Sequence, residues 1–143
     1  MHVRMELSRI LIRELTDYQL IELREVSEDG EPVEGEPRSF PIVIGLPEAQ
    51  AIERRLKGLE LSRPQTHDLL ASVITAMGGT LERVTVTHLA EHTFFAELSI
   101  RTPEGELLTI DSRPSDAIAL GIAADTPIYV SEDVIESATR DEM

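Results

Sequence analysis

The chain has 143 residues, 13 lysines and arginines against 27 aspartates and glutamates, a formal net charge of -14, and no cysteine. Its length suits one ordinary domain, and 41% hydrophobic content supplies a core built from Leu, Ile, Val and Ala, because aromatics make up only 3% and Trp is absent. The composition excludes disulfides and thiolate metal centres, and the charge opposes long-range attraction to a polyanion.

From the N-terminus, Val3, Met5 and Leu7 alternate with polar residues, so 2–12 is predicted as a strand. Residues 19–23 make a second strand, and the two are expected to form a hairpin. Arg4, Glu6, Arg9 and Arg13 interrupt any apolar run, so neither a leader nor a membrane span is expected and a soluble, cytoplasmic protein is. Gly30, Pro32, Gly35 and Pro37 among five carboxylates mark 27–37 as a solvated loop. Residues 39–44 follow as an apolar strand. Pro47 is suited to open a helix over 47–57, with Ala49, Ile52 and Leu56 on one face, Glu53, Arg54 and Lys57 facing away, and Gly58 to end it.

A helix over 66–77 carries a broad stripe of Leu69, Leu70, Val73, Ile74 and Met77, expected to pack on the core. Residues 81–89 and 94–100 read as a hairpin turning at Ala90-Glu91, and 107–110 as a third strand of that group. The helix over 114–123 has hardly any polar face and must be buried. Residues 127–130 make a short last strand, Ser131 caps a final helix with Asp133 in its first turn, and 139–143 are expected to fray as an acidic tail beyond a domain of 1–138. The fold class is α+β, a mostly antiparallel or mixed sheet with three main helices and a short C-terminal one.

Two helix starts share a device. Arg63-Pro64-Gln65-Thr66-His67-Asp68 and Asp111-Ser112-Arg113-Pro114-Ser115-Asp116 each place Arg-Pro a few residues ahead of an aspartate at the start of an apolar helix. Free N–H groups and the positive helix end favour an anion there, and an arginine alongside can hold a phosphate or carboxylate. The alternative is structural: Thr66 caps the first helix, Ser112 or Asp116 caps the second, and Arg113 pairs with a neighbouring carboxylate.

These segments, with Phe40-Pro41-Ile42-Val43-Ile44-Gly45, Glu48-Ala49, Thr93-Phe94-Phe95-Ala96 and Pro127-Ile128-Tyr129-Val130, resemble the bifunctional nuclease domain family in order and spacing from about Val3 to Val134. The resemblance implies hydrolysis of phosphodiester bonds, since plant members are described as cutting both DNA and RNA. Some relatives carry an additional C-terminal interaction module, which this chain is expected to lack.

For that chemistry the candidate acid–base and ligand set is His67, Asp68, Asp111 and Asp116. Arg63, Arg113, Thr66 and Ser115 are the candidate phosphate contacts. Asp68, Asp111 and Asp116 could share a hard cation such as magnesium or manganese, and no organic cofactor is expected. His88 and His92 read as surface residues. The partner implied is DNA or RNA, against the net charge, and a homodimer is expected from the tendency of such domains to cover a spare strand edge. The competing class is a non-enzymatic binding or assembly module whose Arg-Pro and Asp motifs only shape the fold. The enzymatic reading requires the two helix starts to meet.

Overall fold

The computed structural model describes residues 1–13, 15, 18–59 and 62–140. Alternating apolar residues produce β1 (His2–Leu11), β2 (Gln19–Glu25) and β3 (Ser39–Ile44). They are followed by α1 (Leu46–Leu56), α2 (Thr66–Ala76), β4 (Thr80–Ala90), β5 (Thr93–Arg101), β6 (Leu107–Ser112), α3 (Pro114–Ala123), β7 (Ile128–Ser131) and α4 (Glu132–Arg140). The strands join in one sheet in the order β3-β2-β1-β7-β4-β5-β6. Every pairing is antiparallel except β4 with β7. The short β7 therefore sits at the centre, stitching the N-terminal meander to the β4–β6 meander.

One face of the sheet carries the core. Ile21, Leu23, Phe40, Ile42, Met5, Ile128, Val130, Val84, Val86 and Leu98 are register partners across successive strands and all are buried. The sheet curls so far that Phe40 of β3 stacks on Phe94 of β5, with ring centroids 5.7 Å apart. Into this concave side packs α3, whose Ala117, Ile118, Ala119 and Leu120 are all buried, as its apolar composition requires. Helices α1 and α2 lie against α3, and α4 spans β3, β4 and β7. The acidic loop after β2 lies on the other face: the Glu28 carbonyl accepts from Arg4 Nη1 at 2.7 Å and its carboxylate from the Tyr129 hydroxyl at 3.0 Å. Among the described residues no helix is long and apolar enough to cross a membrane.

Several local expectations are corrected. Leu56 is exposed on α1, where only Ala49 and Ile52 are buried, because the helix rests on α3 along a narrow line. The apolar stripe of α2 contributes no fully buried residue. The β4–β5 turn falls at Glu91-His92, both in the left-handed region at φ 51° and 64°, which is the two-residue hairpin geometry matching strand twist. Gln65, not Thr66, caps α2, in a reciprocal pair with Asp68. Arg113 holds the cap position of α3, without a side-chain cap from Ser112 or Asp116. Ser131 does accept from the Asp133 N–H at 3.2 Å, and α4 continues to Arg140; residues 141–143 of the expected tail lie outside the described residues.

Arg38 joins distant parts of the chain at the start of β3, donating to Glu25 at 2.9 Å and to Glu132 of α4 at 2.8 Å. Its hydrogen bonds hold both carboxyls below their usual range, and theirs raise the guanidinium further. Carboxyls lowered in the folded state stabilise it at pH above their unfolded value near 4, and lose that contribution as pH falls through the folded value. Arg38→Met is expected to cost about 1–2 kcal/mol at neutral pH. Thermal melts at pH 7 and pH 3 check this, the wild-type advantage shrinking at the lower pH.

Candidate active site

Pro114 at the first position of α3 and Asp68 in the first turn of α2 set two helix N-termini whose directions bring them together. His67 Nε2 lies 3.0 Å from Asp116 Oδ1, although 49 residues separate them. Asp116 Oδ2 accepts from Arg113 Nε at 3.0 Å and Nη2 at 2.7 Å. Arg113 Nη2 also donates to Glu48 Oε1 of α1 at 2.9 Å. A continuous chain of charge-assisted hydrogen bonds thus ties α2, α3 and α1 at one end of the helical layer. Gly45 makes room for it: a Cβ there would stand 2.8 Å from Glu48 Oε2.

Partial burial alone would raise the Asp116 carboxyl, but hydrogen bonds from His67 and Arg113 outweigh it and hold the group below the usual carboxylate range. Asp116 is therefore ionised near neutrality and can only accept, which assigns the proton facing it to His67 Nε2; whenever the ring is neutral its lone pair is on Nδ1. The His67 side chain is only 16% exposed, so this tautomer is held in a sheltered place. Asp116 raises the Arg113 guanidinium above its ordinary value, and Arg113 stays cationic while most of its side chain faces solvent.

The network forms one wall of an open groove of about 1310 Å³ between α1, α2 and α3. Arg54, Arg55, Arg63, Thr66, His67, Asp68, Arg113 and Asp116 all line it. Arg54 donates to the Gln65 side chain, while Arg55 and Arg63 form no ion pair among the described residues. A chain of net charge -14 thus gathers four of its arginines around one concavity. The acidic loop after β2, with five of the 27 carboxylates, lies across the sheet.

The expected site is assembled in part. His67, Asp68, Asp116, Arg63, Arg113 and Thr66 meet at the groove, whereas Asp111 and Ser115 do not. Asp111 pairs with Glu97 across β5 and β6 on the sheet face away from the helices, beside His88 in a smaller concavity of about 510 Å³. The reason is strand parity: Ile110 shares the helix side with Leu98, so Asp111 points the other way. Ser115 is buried under the start of α3. Asp68 spends one carboxylate oxygen on the Gln65 N–H at 3.2 Å. The three carboxylates expected to share magnesium or manganese are therefore not gathered, and among the described residues no group of three or more His, Asp or Glu side chains could hold a metal ion.

From the sequence, Glu48 and Gln65 stand only as parts of the resemblance motifs, and the basic cluster Arg54, Arg55 and Lys57, which could touch phosphates, is assigned to the helix dipole. Arg54 and Arg55 look like ordinary cations complementing the negative end of α1, and Arg54 was expected to face away. The signal available was their position a few residues before Arg63, and in the structure Arg54 donates to the Gln65 side chain at the start of α2.

A curled mixed sheet, helices on its concave side, and a polar groove where two Arg-Pro helix starts converge define an α+β architecture with a cationic, histidine-bearing cleft. The chain belongs to the bifunctional nuclease domain family, whose profile matches residues 32–142. An uncharacterized protein of Mycobacterium tuberculosis is 40% identical over 101 residues, covering 71% of this chain and 59% of that protein. Bifunctional nuclease 2 and bifunctional nuclease 1 of Arabidopsis thaliana are each 24% identical over 95 residues, covering 65% of this chain and 29% of theirs. The chain thus spans somewhat more than half the length of the mycobacterial relative and under a third of the plant ones.

Proposed function

We propose that the groove binds a phosphodiester backbone of DNA or RNA and hydrolyses it, with His67 as general base. The observation that carries this reading is the His67–Asp116 pair set in a wall of arginines on an otherwise acidic chain. Asp116 fixes the tautomer, His67 Nδ1 takes a proton from water as its oxygen bonds to phosphorus, and the bond to the leaving oxygen breaks. The departing oxygen leaves on the side of phosphorus opposite the water and takes its proton from solvent in the open groove. Arg54, Arg55 and Arg63 hold the phosphates on either side of the scissile one, and Arg113 adds positive charge where the transition state gains negative charge. No step is assigned to a metal, because Asp116 already accepts from both His67 and Arg113. The names of the plant relatives support the substrate class; four arginines face Glu48, Asp68 and Asp116 in the groove lining, a balance less acidic than that of the whole chain, and screening over about 8 Å at physiological ionic strength weakens repulsion from distant carboxylates.

One observation favours the competing, non-enzymatic reading: Arg113 is committed to Glu48 and Asp116, as a purely structural tie between α1 and α3 would be. The two readings part in one experiment. Highly purified protein is assayed for cleavage and for binding of single-stranded DNA and RNA oligonucleotides, with magnesium, manganese or chelator, alongside an Arg55→Gln/Arg63→Gln variant. Those arginines make no ion pair among the described residues, so the variant is expected to keep its fold, and binding is expected to weaken roughly tenfold with a salt dependence shallower by about 1–2. Binding without cleavage under every condition leaves the binding module; neither binding nor cleavage ends both.

A further inference from the structure

Arg113 is held more tightly than its exposure requires. Its side chain is 69% exposed, and a long cationic side chain that open to water ordinarily samples many rotamers. Here Nε and Nη2 donate to Asp116 Oδ2 at 3.0 and 2.7 Å, and Nη2 donates again to Glu48 Oε1 at 2.9 Å. Nη2 thus uses both its hydrogens, and Nη1 is the guanidinium nitrogen left without an acceptor among the described residues. No carboxylate among the described residues clamps Arg54, Arg55 or Arg63 in this way.

A guanidinium that only tied α1 to α3 would meet Glu48 fork to fork, with Nη1 and Nη2 each on one carboxylate oxygen. Glu48 is turned out of that arrangement. Its Oε2 lies 2.8 Å from where a Cβ on Gly45 would stand, and only Oε1 accepts from Arg113. Gly45 has φ −79° and ψ 162°, a conformation open to any residue, so the backbone does not call for glycine there; the space does. The Glu48 side chain is only 12% exposed in the first turn of α1, where the positive helix end favours its charge.

On the reading of the groove as a phosphodiester site, we propose that Glu48 is a positioning residue. With Asp116 it clamps the Arg113 guanidinium so that Nη1 alone remains, fixed in direction, to donate to the reacting phosphate. Gly45 keeps the second Glu48 oxygen off that donor. The effect is preorganisation: a charged donor already set where negative charge grows needs no rearrangement as water attacks, and misplacing such a group by about 1 Å costs on the order of a hundredfold in rate. The unclamped arginines suit the flanking phosphates, whose charge does not change during the reaction.

Gly45→Ala is the sharpest probe, because it alters no charge, needs no unusual φ and displaces only the far end of the Glu48 side chain. In proton–nitrogen spectra of the cold wild-type chain, the Arg113 Nη1 and Nη2 signals, assigned by their loss in Arg113→Lys, should be separate. Millimolar dimethyl phosphate, the smallest phosphodiester, should shift Nη1 and leave Nη2 in place. That shift should disappear in Gly45→Ala and in Glu48→Ala. In single-stranded oligonucleotide cleavage below the melting temperature, both variants should lose about ten- to a hundredfold in kcat with KM changed less than about threefold, and Glu48→Gln, which keeps an acceptor oxygen, should recover part of the loss. Merged signals in the wild type, no Nη1 response to dimethyl phosphate, or wild-type kcat in both Gly45→Ala and Glu48→Ala would each overturn the proposal, as would a loss of cleavage that follows only the folded fraction by circular dichroism. A wild type that shows the Nη1 shift and its loss in the variants, yet cuts no oligonucleotide, ends the hydrolytic reading and leaves the clamp as a phosphate-binding device.

Discussion

His67→Ala is expected to lower cleavage by about 10²–10⁴-fold, the range a positioned general base contributes, with binding of the oligonucleotide changed far less. The side chain is sheltered but lies outside the core cluster, so the fold should survive its removal. Asp116→Asn is the sharper companion. The carboxylate now serves two donors with two oxygens, Oδ1 toward His67 and Oδ2 toward Arg113. An asparagine has one oxygen, and the guanidinium, being permanently charged, claims it. The amide NH₂ then faces His67 Nε2 and demands a lone pair there, moving the imidazole proton to Nδ1 and removing the base. Loss comparable to His67→Ala is expected although shape and volume are conserved. The measurement is single-turnover cleavage by proteins purified in parallel, with circular dichroism as the control for folding. Full activity in either variant would mean that any cleavage arises elsewhere.

Ile118→Ala is expected to be the most damaging single change to stability. Ile118 is fully buried on α3, the helix packed against α1, α2, β4 and β5 and bearing Asp116 two residues earlier. Removing three buried carbons without room for collapse costs about 2–5 kcal/mol in comparable cores, which for a domain of this size lowers the melting temperature by roughly 6–20 °C. Chemical denaturation should show a reduced midpoint with an unchanged slope. Because α3 positions one half of the acid–histidine pair, activity should fall with the folded fraction on warming and be near normal in the cold. A melting temperature within a degree of wild type would contradict the central place of α3.

Much of this was legible locally. Pro114 after Arg113, followed by eight almost unbroken apolar or small residues, specified a buried helix whose bounds match α3. Periodicity alone placed β3 at 39–44. Other outcomes exceeded what a one-dimensional pattern contains. The stripe on α2 looks the same whether it covers the protein's own core or lies open, and here it lies open. Asp111 was grouped with Asp116 by nearness in sequence, yet the alternation of β6 sends it to the opposite face; that parity was available and was not weighed. A bulge between Val86 and His88 similarly moved His88 off the face of Val86.

The sequence by itself determined close to where helices start and that the helix over 114–123 must be buried, because backbone dihedral preference and side-chain period act over a few residues. Only the tertiary structure decided that β7 enters between β1 and β4 and that His67 meets Asp116. Such pairings are settled by the closing of the whole core, in which each long-range contact is favourable only when the others are already made.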